Sequence, residues 1–456
     1  MVKMNRTFVL DTLKKVGQKV TIFGRVQTVR DHGKVTFLDI FDETGIVQAV
    51  TRNQPDISPQ DVVEILGTVK KRPENLINKN IPTGEIEIEI ENLKVISKSQ
   101  TPPIPVDGDG YDIEEENRLK YRYLDLRRQR MQKNLRLRHK IVSIVREYLN
   151  YGNFVEIETP YLSKTTPEGA RDFIVPSRLN PGKFYALAQA PQQYKQLLML
   201  SNFEKYYQIA RAFRDEDLRS DRQFEHTQID IEMAYVSRQD IINLMEGLMS
   251  TLAKALSLKV VKKPFPVFTY SEALKKFGKD KFDLRSEKQK KEKELAFAWV
   301  VDFPLFEFDE KQNRYTFSHN PFTAPKEEDL KNLKNKKNLK EISSYQYDLV
   351  LNGEELGSGS IRITDPSIQR EVFSIMGMDN KKIEKDFGHL LSAYEYGAPS
   401  HGGIAIGLDR LCAILAGESN IREVIAFPTS GSGQTSVMDA PAEIDSDTLR
   451  ELKLKP

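Results

Sequence analysis

The sequence predicts an α+β protein in two parts, a small closed β-barrel followed by a larger region in which hairpins alternate with helices. Three observations carry that prediction. From Val20 to Ser99 the chain reads as five β-rich segments, VTIFGRVQTVR, KVTFLDIFD, IVQAVT, DVVEILGTVKKR and GEIEIEIENLKVIS, split by Gly33, Asp42-Glu43-Thr44-Gly45 and Pro82-Thr83-Gly84. Five such segments in this length close most simply as a barrel of OB type. Between Thr101 and Glu116 the prolines and glycines of TPPIPVDGDGYDIEEE sustain neither helix nor central strand, so the stretch reads as a linker. Beyond it, apolar helical runs such as Asp240–Leu258 mix with hairpin patterns at Tyr207–Ala234 and Tyr345–Thr364. The expected division is a barrel over 1–105, a linker or hinge over 106–135, and a second domain over 136–456.

Composition narrows the class. With 456 residues, 29% of them charged, and a net charge of +2, the chain can bury large cores, and a nucleic-acid partner must be met by local patches, not a global field. The single cysteine, Cys412, excludes an internal disulfide and a multi-thiolate zinc site, and its apolar helical context reads as core. No apolar run is long enough to span a bilayer, and Met1–Asp11 lacks the order of a signal peptide. A cytoplasmic protein with no membrane partner is expected.

Within the barrel, Phe37 and Gln48 fall on neighbouring strands beside Arg25 and Arg30, residue types that can stack and contact single-stranded nucleic acid. Alternation alone leaves open whether Phe37 fills the interior instead. The cations of RLKYRYLDLRR and NLRLRHKIVSIVREYLN lie at helical spacing, where arginines usually snorkel or pair. Further on, FVEIETPYLSKTTPEGARDFIVPS is extended and broken by Pro160 and Pro167, and QAPQQYKQLLML starts a helix after Pro191 that puts Gln192 and Lys195 on one face. A hairpin follows: the apolar strand ending at Phe213, the charged turn Arg214–Arg222, and the alternating strand Thr227–Met233. Arg214 at the strand end can grip a phosphate, while Arg219 and Arg222 sit on a loop able to reach a nucleic-acid end.

The later segments add paired chemistry. SEKQKKEKE after KFDLR is a solvated connector, and EEDLKNLKNKKNLKE reads as a mobile surface segment. In YQYDLVLNGEELGSGSIRIT, the Asn352-Gly353 turn folds two strands so that Asp348 and Glu355 lie near each other, a pair suited to Mg²⁺ beside phosphates. Gly357 and Gly359 leave room at the backbone, and alternation puts Ser358, Ser360 and Arg362 on one side. Lastly, SHGGIAIGLDRLCAILAG is a strand, a glycine and a helix whose first turn carries Asp409 and Arg410.

Taken in order, FRDED with RQFEHTQIDIE, TPEGA, QAPQ-x-x-K, TFSHNPFTAP, GSGSIRI and GLDR resemble the aspartyl-tRNA synthetases, a class II aminoacyl-tRNA synthetase family. The resemblance covers nearly the whole chain. It implies an antiparallel catalytic sheet flanked by helices, a homodimer formed largely by the segment ending at Pro160, and a two-step reaction: L-aspartate and ATP give aspartyl-adenylate, whose acyl group passes to tRNA(Asp). It assigns the substrate to Glu168, Gln192, Lys195, Arg214, Asp230, His319 and Arg362, with catalysis resting on Arg214, Glu355 and Arg410. It places ATP against Arg214, Asp215, Glu216, Gln223, Glu355 and the Gly407-Leu408-Asp409-Arg410 stretch, Mg²⁺ at Asp348 and Glu355, and tRNA at Arg30, His32, Phe37, Gln48 and Arg222. Relaxed members, which also charge tRNA(Asn), tend to carry histidine where this chain has Asp31-His32-Gly33, although the second associated position, near Pro73-Glu74-Asn75, lacks the expected glycine. Three departures stand out: Ala190 replaces a serine, Asn320 replaces a second histidine, and the domain that bacterial members insert after the KFDLR-like sequence is absent at 285–295.

Overall fold

In the computed structural model, residues 6–167 and 169–454 are described. They form two compact units that divide between Val106 and Asp107. Strands β1 (Lys19–Asp31), β2 (Thr36–Phe41), β3 (Ile46–Thr51), β4 (Val62–Lys71) and β5 (Ile86–Ser97) close the first unit as a barrel in the order β1-β2-β3-β5-β4. Alternate residues point inward, so Val20, Ile22 and Val26 of β1 meet Leu38, Ile40, Val63, Ile65 and Ile88 in a dry core. Bulges between Val26 and Thr28 and between Leu66 and Gly67 bend the strands around it. At Gly24 a Cβ would stand 2.6 Å from the Phe41 carbonyl oxygen, so only glycine lets β1 and β2 approach there. Phe37 is half-buried while its neighbours Thr36 and Leu38 are buried, so its ring lies on the outer face and does not fill the interior.

The second unit is built on an eight-stranded sheet. Its strands are labelled with those of two small flanking sheets: β6 (Val155–Glu156), β7 (Leu162–Ser163), β8 (Ile174–Pro176), β9 (Phe184–Leu187), β10 (Lys205–Phe213), β11 (Glu225–Ala234), β12 (Val267–Thr269), β13 (Phe297–Val301), β14 (Phe306–Asp309), β15 (Arg314–Phe317), β16 (Gln346–Leu351), β17 (Glu354–Ile361) and β18 (His401–Gly407). The large sheet runs β12-β13-β16-β17-β18-β11-β10-β6. It is antiparallel through its centre, as the resemblance implied, and parallel only where β6 and β12 join its edges.

Period-two alternation gives this sheet two unlike faces. Ile229, Ile231, Ile404, Ile406, Tyr347 and Leu349 point to one side, where the helices Gln129–Tyr151, Arg238–Ala255 and Leu408–Ala416 cover them with Val145, Met245, Leu252 and Leu411. Cys412 belongs to this core, as its apolar context predicted. Of the intervening residues, Asp230, Glu232, Gln346, Asp348 and Ser360 are equally buried on the opposite side and are polar.

Two expectations are corrected. The 106–135 stretch is not a free connector: from Asp107 it belongs to the second unit, and Arg118, Arg122 and Arg128 are buried there. Asp125 receives Arg122 Nη1 at 2.7 Å and Arg128 Nε at 2.7 Å, while Arg118 is held by Glu423 at 2.8 Å. The lysine-rich 327–341 stretch folds as short helical turns anchored by the fully buried Leu333. Between KFDLR and β13 the charged connector is solvent-exposed and forms a short helix, Glu287–Lys291, with no buried residue, started by a capping box between Ser286 and Gln289.

Candidate active site

The polar face of the sheet holds a buried charge cluster. Lys195, from the helix Gln192–Leu200, lies 2.9 Å from Asp230 and 3.2 Å from Glu232 of β11. Arg362, just past β17, donates from Nε to Glu232 Oε1 at 2.9 Å, from Nη2 to Oε2 at 3.0 Å and from Nη1 to Ser360 Oγ at 2.6 Å. All four charged side chains are at most 4% exposed. Burial works to raise the Glu232 carboxyl, but Arg362 and Lys195 outweigh it and hold it at about 2. The bidentate edge of Arg362 is therefore occupied by Glu232, a residue the sequence reading passed over although alternation already put it beside Asp230. The Gln192 amide nitrogen is buried with no protein partner, which leaves a donor available at this cluster's helix.

A second group lies along β16 and β17. His319 Nε2 stands 3.2 Å from Asp348 Oδ2, and Gln346 donates to Asp348 Oδ1 at 3.0 Å and to Ser358 Oγ at 2.6 Å. Burial alone would lower the His319 pKa, yet the Asp348 carboxylate raises it overall, which favours the imidazolium. Asn320 accepts from the Phe322 backbone N–H at 3.0 Å, so the residue in place of a second histidine fixes this loop. The Asn352-Gly353 turn forms with both residues at positive φ, as its sequence predicts. A register shift pairs Glu355 with Val350 and Asp348 with Ser358, so the two carboxylates do not share a contact: Glu355 meets Lys281 Nζ at 2.8 Å. Gly357 and Gly359 do not hold space for a ligand. A Cβ on Gly357 would lie 2.6 Å from the Ala405 oxygen, and one on Gly359 would lie 2.6 Å from the Tyr347 ring.

The β10–β11 hairpin and the β18–helix junction complete the face. Arg214 opens the charged turn and its backbone N–H bonds the Phe224 oxygen at 2.7 Å. Nearby His226 is driven down to about 3, by burial first and then by Arg214, Arg211 and Arg410, so these cations crowd one region. Asp215 bridges to Arg171 through the backbone, Glu216 pairs with Arg222 at 3.4 Å, and Gln223 accepts from the Thr429 N–H at 2.7 Å. Arg410 binds the Glu355 carbonyl and the Asp221 carboxylate, the latter at 3.1 Å. Asp409 and Leu408, expected against ATP, turn their side chains inward: Asp409 accepts from the Thr227 N–H at 2.8 Å and pairs with Arg138 at 2.5 Å, and Leu408 is core. Gly407 starts that helix with no protein atom crowding it. Glu168 lies outside the described residues; the TPEGA loop around it is tied down by Gln189, which exchanges two hydrogen bonds with the Ala170 backbone.

Among the described residues no group of three or more His, Cys, Asp and Glu side chains is placed to hold a metal. Two carboxylates on one hairpin do suit Mg²⁺ that arrives with phosphate oxygens and keeps its waters.

On the barrel, β1 and β2 set Arg30 opposite Phe37, and β3 sets Gln48 beside Asp39. Arg30 reaches both Asp39 oxygens, at 2.5 and 2.8 Å, and Gln48 donates to Glu87 at 2.9 Å. His32 packs edge-on to Phe37 with ring centres 5.7 Å apart. Arg25, in the middle of β1, is instead drawn to the Gln60 carbonyl. The face therefore mixes a stacking ring with both signs of charge.

Comparison with known proteins gives two family matches, tRNA synthetases class II (D, K and N) over residues 114–431 and an OB-fold nucleic acid binding domain over 20–96. An aspartate–tRNA(Asp/Asn) ligase of Halothermothrix orenii is 39% identical over 97% of this chain and 96% of its own. An aspartate–tRNA ligase of Staphylococcus haemolyticus is 36% identical over 98% of each. The first alignment runs over 573 positions against a chain of 456, so that relative carries residues with no counterpart here. Among solved structures, a putative aspartyl-tRNA synthetase from Leishmania major superposes with a TM-score of 0.75 at 19% identity over 94% of both chains. An asparaginyl-tRNA synthetase from Pyrococcus horikoshii, complexed with asparaginyl-adenylate, gives 0.73 at 23% identity over 94% of this chain and 98% of that one. At those identities the likeness is one of fold.

Proposed function

The chain belongs to the aspartate–tRNA ligases, class II tRNA synthetases with an OB-fold barrel, and on that premise we propose how its polar sheet face selects L-aspartate, activates it with ATP and loads it onto tRNA. The observation that carries the reading is the buried Lys195–Asp230–Glu232–Arg362 cluster with His319 on the same polar face. Lys195 lies within ion-pair distance of Asp230 and Glu232, and Arg362 Nη1 keeps a hydrogen beyond the one given to Ser360. Lysine and arginine can only donate, so the end group they accept must be a pure acceptor. A carboxylate qualifies at both oxygens, whereas the amide of asparagine offers one acceptor oxygen and would aim its N–H₂ at the other donor. Glu168 takes the α-amino group by charge, and Gln192 offers its unpartnered amide nitrogen.

No side chain at the site acts as a covalent nucleophile, so the rate gain comes from placement and charge. Arg214 meets the α-phosphate, which the substrate carboxylate attacks, and Arg410 meets the terminal phosphate once Asp221 yields. Asp348 and Glu355 would hold the Mg²⁺ that accompanies ATP, which would offset its phosphate charge. Asp215, Glu216 and Gln223 shape the nucleotide pocket, with Arg222 and Arg219 toward the tRNA end. A homodimer fits the exposed apolar side chains of the 155–185 region, where Val155, Leu162, Ile174, Phe184 and Tyr185 are all more than 40% exposed. No helix among the described residues is long and apolar enough to cross a membrane, and we place the enzyme in the cytoplasm.

The barrel face reads the anticodon through Phe37, Gln48, Arg30 and His32. The anticodons of tRNA(Asp) and tRNA(Asn) differ at one base, and His32 beside Phe37 offers a ring donor or acceptor to either. We therefore assign relaxed choice, as the names of several relatives also indicate of themselves. Transcripts of both tRNAs are expected to be aspartylated, and His32→Leu to narrow charging toward tRNA(Asp). Efficient charging of tRNA(Asp) with none of tRNA(Asn) by the wild type contradicts the relaxed reading.

A further inference from the structure

Lys281 has no role in the scheme above, yet the fold fixes it at the site. Its neighbour Phe282 is only 3% exposed, stacked on Phe277 at 4.0 Å and edge-on to Phe268 at 5.3 Å. Asp283 pairs with Arg285 at 2.8 Å, and Arg285 also donates to the Glu294 carbonyl. On the other side Asp283 lies against the β16–β17 turn, where a Cβ on Gly353 would be 3.4 Å from the Asp283 Cβ. Anchored at 282, 283 and 285, the segment holds the half-exposed Lys281 ammonium 2.8 Å from Glu355 Oε2. Arg410, bound to the carbonyl of the same Glu355, lies close enough to oppose the Lys281 charge, although Glu355 more than offsets it.

We propose that Lys281 is a phosphate-binding residue: it neutralises Glu355 while the site holds no nucleotide, and turns to the β- and γ-phosphates of bound ATP, which would leave Glu355 free to serve as a ligand of the accompanying Mg²⁺. The proposal rests on the ATP assignment made above. A lysine serves such a handover well, because its ammonium is a point charge on a flexible stem that can change partners without a fixed fork geometry. Pyrophosphate, the leaving group, keeps the same contact until release. Arg410 and Lys281 thus grip the far end of the triphosphate from two sides of Glu355.

The test pairs direct binding with catalysis. Titration calorimetry with MgATP on wild type, Lys281→Met and Lys281→Arg is expected to show affinity falling at least about tenfold in the methionine variant and recovering most of the way in arginine, the ordinary effect of one charge-assisted bond. In ATP–pyrophosphate exchange, the KM for ATP and for pyrophosphate should rise together in Lys281→Met while the KM for aspartate stays put. Unchanged ATP affinity in Lys281→Met, or an equal rise in the aspartate KM, overturns the proposal. A wild type inert in exchange whose MgATP affinity still depends on Lys281 refutes the activity and leaves the phosphate contact standing.

Discussion

Replacing Arg362 with leucine is expected to abolish aspartate-dependent pyrophosphate exchange and to destabilise the catalytic unit. Both effects have one cause. Arg362 is the bidentate partner of Glu232, and both groups are fully withdrawn from water. Removing one member of such a pair strands the other, at a cost of about 3–5 kcal/mol. Lys195 remains beside Glu232 but also serves Asp230, so it offsets only part of that loss. Arg362→Lys separates folding from recognition: it keeps a cation for Glu232 but loses the Nη1 donor, so the protein should fold and show an aspartate KM raised by about tenfold or more. Leucine and lysine variants with an unaltered aspartate KM would show that Arg362 serves the fold alone.

Asp125→Ala is expected to be the most damaging substitution remote from the site, lowering stability by about 3–5 kcal/mol. Its carboxylate takes Arg122 at 2.7 Å on one oxygen and Arg128 at 2.7 Å on the other, with Arg118 at 3.5 Å, and the Arg122, Arg128 and Asp125 side chains have no exposed surface. Arg122 retains the carbonyls of Arg422, Ile425 and Ala426 as acceptors but loses its counter-charge. Chemical denaturation should show the transition of the catalytic unit shifted to lower denaturant, and Asp125→Asn should recover little, because an amide keeps the shape but not the charge. A transition coincident with wild type would mean that the arginines are neutralised by Glu423 alone.

These two clusters show which parts of the molecule its sequence discloses. The barrel was legible because its strands are consecutive, alternate cleanly and are split by turn residues. The β16–β17 hairpin was legible through Asn352-Gly353. The arginines of 118–130 were expected to snorkel or pair, but their partners could not be named because those are remote: Arg118 and Glu423 stand 305 positions apart. Glu232 was half-visible, placed beside Asp230 by alternation, but its link to Arg362 required β18 to lie between β17 and β11. Gly357 and Gly359 were read as making way for a ligand, whereas they make way for β18 and Tyr347. Lys281 was obscured by its setting beside a charged connector, and only the stacking of Phe282 and the Asp283–Arg285 pair show that the segment is anchored.

The most direct test of the account is ATP–pyrophosphate exchange by purified wild-type protein, with aspartate, asparagine and lysine supplied in parallel. With Lys195 and Arg362 as the donors turned to the substrate end group, exchange is predicted with aspartate, and little or none with the other two, because an amide N–H₂ or an ammonium would face those cations unpaired. Exchange stimulated equally by asparagine would contradict the account, since it would mean that Lys195, Arg362 and His319 do not choose the substrate by its carboxylate.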